Sequence, residues 1–491
     1  MSGDLQRVEL TEDALEPELD RSPTQPPGAG PRRSRRGLVW LGAGAALIGA
    51  GLVAGQAVLD ARERAAVAAL QEVPGVVAPL GDALSVAYEL PSLSWLDLAD
   101  DGRRAFLVTT GDDSTPHLQA WDLDTGTVLW DARVGSSTSP EAGENMRCST
   151  GTADEGAVVV CLDSDGGTVW DDDGRYSWRE ATYARLVVHA QDDGRQVAAW
   201  DVDERAEEIA VLDGVVATAG RDRTGVVLTA RDLATGEQRW QRSLPETGEV
   251  DEGSYFPASV SSAGGVFVAS TADGYVQLVR ADGSVLPLES SRGWNAPDRD
   301  VVVVNLPNDA DGSRTALVRD GAIGPELRGD MVPGLVDDGS LGDVVFTTAD
   351  GLTAWDAASG TRRWSVDPDE PVATYDVVQV VRGTVYALGA SGLAACDGST
   401  GEKRWVHERP DDESYSGGVL TDGVRLYLTE LREPVDGQAP EPPVVHALTF
   451  DGTPAGEVTV PDGVDWMTTF GDRIWGSRTA ETGVNDLVVL R

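Results

Sequence analysis

The 491-residue sequence predicts an all-β fold, a β-propeller of about eight four-stranded blades (range seven to nine) preceded by one transmembrane helix. Three observations carry this prediction: an eleven-residue pattern that recurs along the chain, a body rich in strand and turn formers, and an uncharged apolar stretch behind a run of arginines.

The recurring pattern has four clear copies, 120–130 (AWDLDTGTVLW), 230–240 (ARDLATGEQRW), 354–364 (AWDAASGTRRW) and 395–405 (ACDGSTGEKRW). All fit Ala-x-Asp-x-x-(Thr/Ser)-Gly-x-x-x-Trp. The Ala closes a strand in a crowded layer, and Asp122, Asp232, Asp356 and Asp397 are placed to accept from backbone N–H groups of the turn that follows. Gly126, Gly236, Gly360 and Gly401 supply the positive φ that a tight turn needs. The closing Trp opens the next strand and is large enough to wedge between neighbouring sheets. Weaker copies at 189–200, 279–288, 316–327 and 447–458 give spacings of about 36–54 residues with one wider gap, which suits four-stranded blades. Residues 84–90 (LSVAYEL) are placed to close the ring against Arg473–Leu490.

The body supports the same fold. A chain of this length allows several ordinary domains or one large closed repeat architecture. Beyond residue 72 it is rich in Val, Thr, Gly and Asp, a mixture suited to short strands and tight turns. The formal charge of −43 is carried by that body: residues 1–36 hold seven acidic residues and six Arg, leaving 75 acidic against 33 basic residues beyond. Such a surface repels phosphate backbones, so a nucleic-acid role is excluded. It is soluble, and a basic partner suits it. Lys403 is the only lysine.

The N-terminal region differs. Residues 1–36 form a polar, Pro-containing tail that cannot bury enough surface to order itself, and it ends in Arg32-Arg33-Ser34-Arg35-Arg36. The uncharged stretch 37–59 is long enough to cross a bilayer, and the flanking arginines orient the N-terminus to the cytoplasm. Residues 60–79 read as a stalk, helical over 60–72, and 80–491 as the propeller, which then lies outside the cytoplasm. Two other readings stand beside the anchor: a twin-arginine export signal at 34–39, and a small-residue cleavage site at Gly55-Gln56-Ala57. All three export the body.

The repeats resemble the pyrroloquinoline-quinone-like propeller repeats, whose tryptophan-docking motif has this form, over roughly residues 80–491. The resemblance implies that Trp130, Trp200, Trp240, Trp364 and Trp405 dock between blades as packing residues. Members typically have seven or eight blades. Nine strand clusters can be counted here, with 299–327 the weakest, and the sequence is read as eight blades.

Few residues suggest chemistry. Cys148 and Cys161 flank a turn centred on 153–156, so strands 145–150 and 157–162 would set them opposite each other as a disulfide in an exported body. Cys396 sits at a variable position of the repeat and reads as a packed side chain. His117, His189, His407 and His446 lie in different blades and read as unrelated. The runs at 163–166, 171–174 and 308–312 look like calcium loops but lack the closing glutamate, and read as turns.

The expected function is therefore a membrane-anchored, non-catalytic binding or scaffolding module without a cofactor or metal. Its partner would be another envelope or surface protein, or a small ligand on the propeller face. Two alternatives remain: a quinone-dependent dehydrogenase, whose relatives carry adjacent cysteines that this chain lacks, and a sensor signalling through the tail. The insertions 163–185 and 430–444 are the candidate interaction loops.

Overall fold

In the computed structural model the chain divides into two compact units, residues 1–64 and 65–491. The structure describes residues 55–491 apart from 92, 100, 112–113, 136–145, 154–155, 171–175, 180, 204, 223–224, 246–257, 272–274, 289–290, 293, 299, 310–311, 350, 367–374, 390–391, 410–413, 432–442 and 480–484. The expected tail and residues 37–54 of the apolar stretch lie outside the described residues. In the first unit, residues 55–64 are helical, and Asp60 accepts from Gln56 Nε2 at 2.8 Å and from Arg64 Nε at 3.1 Å through its carboxylate and its carbonyl respectively. Among the described residues no helix is long and apolar enough to cross a membrane.

The second unit is a β-propeller of nine blades, each built on four antiparallel strands. Blade 1 spans Leu93–Leu98, Arg104–Thr110, Pro116–Asp122 and Thr127–Arg133. Blades 2 to 8 follow in chain order and begin at Arg147, Ala206, Ser259, Trp294, Asp330, Tyr375 and Ser414. Blade 9 joins Val464–Phe470, Arg473–Thr479 and Asn485–Leu490 to the early strand Val86–Glu89. The ring thus closes as the sequence predicts, with Val86 opposite Leu490 and Glu89 opposite Val488.

Nine blades correct the central expectation of eight. The extra blade is the fifth, whose strands Trp294–Asp298, Val301–Asp309, Gly312–Arg319 and Ala322–Arg328 form a full sheet from the weakest cluster. Its sequence hides it because Pro325 stands where other blades carry Trp: a Cβ on Gly360 of blade 6 would lie 2.6 Å from Pro325. Packing, not the motif, makes that blade.

Burial falls from the middle of each blade to its rim. Second strands such as Thr384–Gly389 are buried throughout, because adjacent blades cover both faces, and so they read as unbroken apolar runs. The outermost strand Thr127–Arg133 is mostly exposed. First strands touch in succession through blades 1 to 4 and again through blades 6 to 9. Between blades 6 and 7 the strand Gly334–Asp337 adds to the inner edge of blade 7, parallel to Tyr375–Val381.

The segment before the closing strand is part of the propeller. Leu70, Val76 and Val77 are buried, and Val76 joins the cluster of Val336, Val377 and Val419. Val77 N donates to the Thr421 carbonyl at 2.9 Å, Leu84 N to Thr459 at 2.8 Å, and Ser85 and Arg491 exchange backbone bonds. This strap crosses blades 7, 8 and 9 before entering the ring.

Candidate functional site

The repeat motif builds the seams between blades. In all four clear copies the Ala lies opposite the Trp on the next strand, Ala120 with Trp130, Ala230 with Trp240, Ala354 with Trp364 and Ala395 with Trp405. A bulge follows each Ala. The four alanines are fully buried, so a small side chain there leaves room for the indole.

Each tryptophan then docks on a glycine of the next blade. A Cβ would meet the ring of Trp130 from Gly194 at 2.5 Å, Trp200 from Gly236 at 2.3 Å, Trp240 from Gly283 at 2.7 Å, Trp364 from Gly401 at 2.7 Å and Trp405 from Gly452 at 2.7 Å. Four of the indoles also donate across the seam to a backbone carbonyl: Trp130 to Gln191 at 2.9 Å, Trp240 to Ala281 at 2.9 Å, Trp364 to Gly398 at 2.8 Å and Trp405 to Phe450 at 3.2 Å. The glycines have positive φ, so they serve both the turn and the close approach.

The motif aspartates hold the turns. Asp122 accepts from Asp124 N at 2.9 Å and Thr125 N at 2.8 Å, Asp232 from Ala234 and Thr235, Asp356 from Ser359, and Asp397 from Ser399 and Thr400. Sequence reasoning missed a further element: the residue before the Trp is Arg239, Arg363 or Arg404 in three copies, and each pairs with its own motif Asp at 2.5, 2.8 and 2.7 Å. The guanidinium is the first cause that holds the Asp232 and Asp356 carboxyls at about 2. Asp397 is held well below the usual carboxylate range, first by Ser399 and then by Arg404.

Two residues close the ring, and neither is in a clear copy. Tyr88 takes the tryptophan's place, with a Cβ on Gly126 falling 2.4 Å from its ring. Burial pushes its hydroxyl up to about 12. Arg473 donates to the Leu123 carbonyl at 3.2 Å and pairs with Asp124 and Asp472.

Beneath the strap, Val76–Leu80, Tyr88, Asp124, Arg473 and Ile474 line a cavity of about 410 Å³. At the opposite end of blade 9, Pro91, Leu93, Trp466, Ser477 and Leu487 line another of about 390 Å³. The first strands also carry polar links. Thr150 donates to Asp97 at 2.6 Å, Arg147 lies 3.5 Å from Glu208, and Ala258 N donates to Glu207 at 2.8 Å. Burial pushes the Glu208 carboxyl up to about 7 against the pull of Arg147.

The cysteines and histidines are placed as follows. Cys148 and Cys161 lie opposite each other on adjacent strands, with Cα atoms 4.0 Å apart, and form a disulfide. Cys396 is buried and outside any disulfide. His117 Nδ1 lies 2.6 Å from Asp131 Oδ1, and His189 is buried against the Gly194 carbonyl. The four histidines lie in different blades. Burial lowers the His407 pKa, and the charge of His446 adds to it. His446 bonds the buried Glu430 at 2.7 Å. Among the described residues no three His, Cys, Asp or Glu gather to hold a metal.

Of the two insertions, 163–185 contains the hairpin Gly167–Trp170 with Tyr176–Arg179. Asp165 pins its base by accepting from Thr182 N at 2.7 Å, Thr182 Oγ1 at 2.6 Å and Tyr183 N at 3.1 Å. Asp309 of the 308–312 run pairs with Arg314 at 3.1 Å. The run 171–174 and most of 430–444 lie outside the described residues.

A family model described as outer membrane protein assembly factor BamB matches residues 98–323 and 297–431. The chain belongs to the BamB family. Its repeats are of the PQQ-like type that the docking motif indicates. Among solved structures, BamB from Moraxella catarrhalis is 12% identical over 83% of this chain and 100% of that chain, with a TM-score of 0.39. The C-terminal WD40 domain of Sif2 is 11% identical over 84% and 99%, with a TM-score of 0.41. No curated protein matches. In this BamB-family propeller the conspicuous tryptophans and motif aspartates are thus occupied in holding blades and turns.

Proposed function

We propose that the protein is a non-catalytic binding and scaffolding module whose propeller is held outside the cytoplasm by the apolar stretch 37–59. The observation that carries the binding role is membership of a family described as an outer membrane protein assembly factor. It is supported by the way the repeats use their aromatic and acidic residues for packing, which leaves the faces and blade edges to bind. The arginines at 32–36 and the uncharged stretch behind them support the anchor and its orientation. The disulfide suits an exported, oxidising location. The partner is a neighbouring envelope protein.

Crosslinking from intact membranes, followed by pull-down of the full chain, tests this reading. A defined envelope protein should be captured, and the chain should stay with the membrane after an alkaline carbonate wash. Release into the soluble fraction would defeat the anchor, and the absence of any envelope partner would defeat the scaffold.

A further inference from the structure

At the position before the Trp, blade 1 departs from the other three clear repeat copies. Blades 3, 6 and 7 carry Arg239, Arg363 and Arg404 on the outermost strand, each paired with its motif Asp. Blade 1 carries Leu129 there, 50% exposed, beside Val128, 44% exposed. Asp122 keeps its turn bonds through Oδ1, and among the described residues no arginine forms an ion pair with it. Arg473, whose charge helps keep Asp122 ionised, is engaged with Asp124, Asp472 and two backbone carbonyls. Among the described residues the outermost strand Thr127–Arg133 pairs only with Pro116–Asp122, and no strand pairs with its outer backbone edge.

We propose that this edge of blade 1 docks an extended, arginine-bearing segment of a partner protein. The incoming guanidinium takes on Asp122 the place that Arg239, Arg363 and Arg404 hold in their own blades. Apolar neighbours in the segment cover Val128 and Leu129, removing an exposed apolar pair from a strand edge. A planar guanidinium suits the carboxylate better than an ammonium, and a guanidinium fills this place in the three internal copies. The charge balance points to a basic partner and away from a second copy, since 75 acidic and 33 basic residues beyond position 36 make two bodies repel. The proposal rests on the reading of the protein as a binding module.

A valine-rich peptide carrying one arginine, and its citrulline counterpart, can be titrated against the full chain by fluorescence anisotropy. The arginine peptide should bind about fivefold tighter than the citrulline one, the scale of one exposed charge-assisted contact. Leu129→Arg should remove that advantage, because its guanidinium fills the site from within, as three other blades already do. Val424→Arg, at another exposed apolar residue, should keep it. Equal binding of the two peptides, or full binding by Leu129→Arg, would overturn the proposal. So would a dimer abolished by Leu129→Arg, which would assign the edge to a second copy. If Leu129→Arg still captures the envelope partner from membranes, this edge fails and the scaffold reading stands.

Discussion

The Tyr88 hydroxyl donates to the Leu123 carbonyl at 2.8 Å, joining the closing strand of blade 9 to the motif turn of blade 1. The same ring lies over Gly126, so one tyrosine performs both acts of a docking tryptophan, packing and donating. Closure should therefore depend on it. Tyr88→Phe should cost about 1 kcal/mol for the lost bond and Tyr88→Ala about 3 kcal/mol or more for the cavity as well. Urea unfolding midpoints measure both, and equal midpoints for the two variants would show that the ring does not pack the seam.

Glycines at the turns separate conformational need from contact. Gly214 has φ +68° with nothing near its absent Cβ, whereas Gly236 has φ +73° with the Trp200 ring 2.3 Å away. Gly214→Ala should cost about 1 kcal/mol from backbone strain, and Gly236→Ala about 2 kcal/mol more because the blades must part. Thermal melts of the pair report the difference, and equal losses would refute the seam contact.

Glu208 makes stability depend on pH near neutrality. Its folded pKa of about 7 lies above the ordinary 4.5, so the folded state binds the proton more tightly than the unfolded chain. That contribution is fully present below pH 4.5 and is lost as pH rises to 7. With the side chain 27% exposed, the loss between pH 5 and 8 should be about 2 kcal/mol, and Glu208→Gln should remove it. Parallel pH profiles for the two proteins would contradict the burial of this carboxylate.

The turn carboxylates act with the opposite sign. Asp232 and Asp356 are held at about 2, below the ordinary 3.8, so their contribution is present above pH 3.8 and fades as pH falls towards 2. Replacing Arg239 and Arg363 with Gln should move the acid unfolding midpoint of the chain to higher pH. Circular dichroism against pH measures it, and an unchanged midpoint would mean that these exposed pairs add nothing.

The disulfide constrains a short hairpin within blade 2. Removing it with Cys148→Ser and Cys161→Ser should cost about 3 kcal/mol, from lost loop constraint and two buried hydroxyls. Denaturant curves of the oxidised protein and the double variant provide the measurement. Before reduction only one thiol, Cys396, should react with an alkylating agent in the unfolded chain.

Much of this architecture was legible because its determinants are local. An Asp that accepts from the next few N–H groups and a glycine at positive φ declare themselves in one short segment, and repetition makes them readable at Asp122, Asp232, Asp356 and Asp397. The pairing of Cys148 with Cys161 was legible for the same reason, since one hairpin holds both. Tyr88, Pro325 and Arg473 were not, because each does a tryptophan's or an arginine's work through contacts set by a neighbouring blade.

The sequence by itself determined the propeller, its repeat type, the closing strand and the turn chemistry, all of which follow from short-range geometry repeated many times. Tertiary structure decided the count of nine and the docking of the strap across blades 7 to 9. Blade number depends on how wedges fill a closed ring. That is a property of all the seams at once, so a blade packed by Pro325 counts as fully as one packed by Trp364.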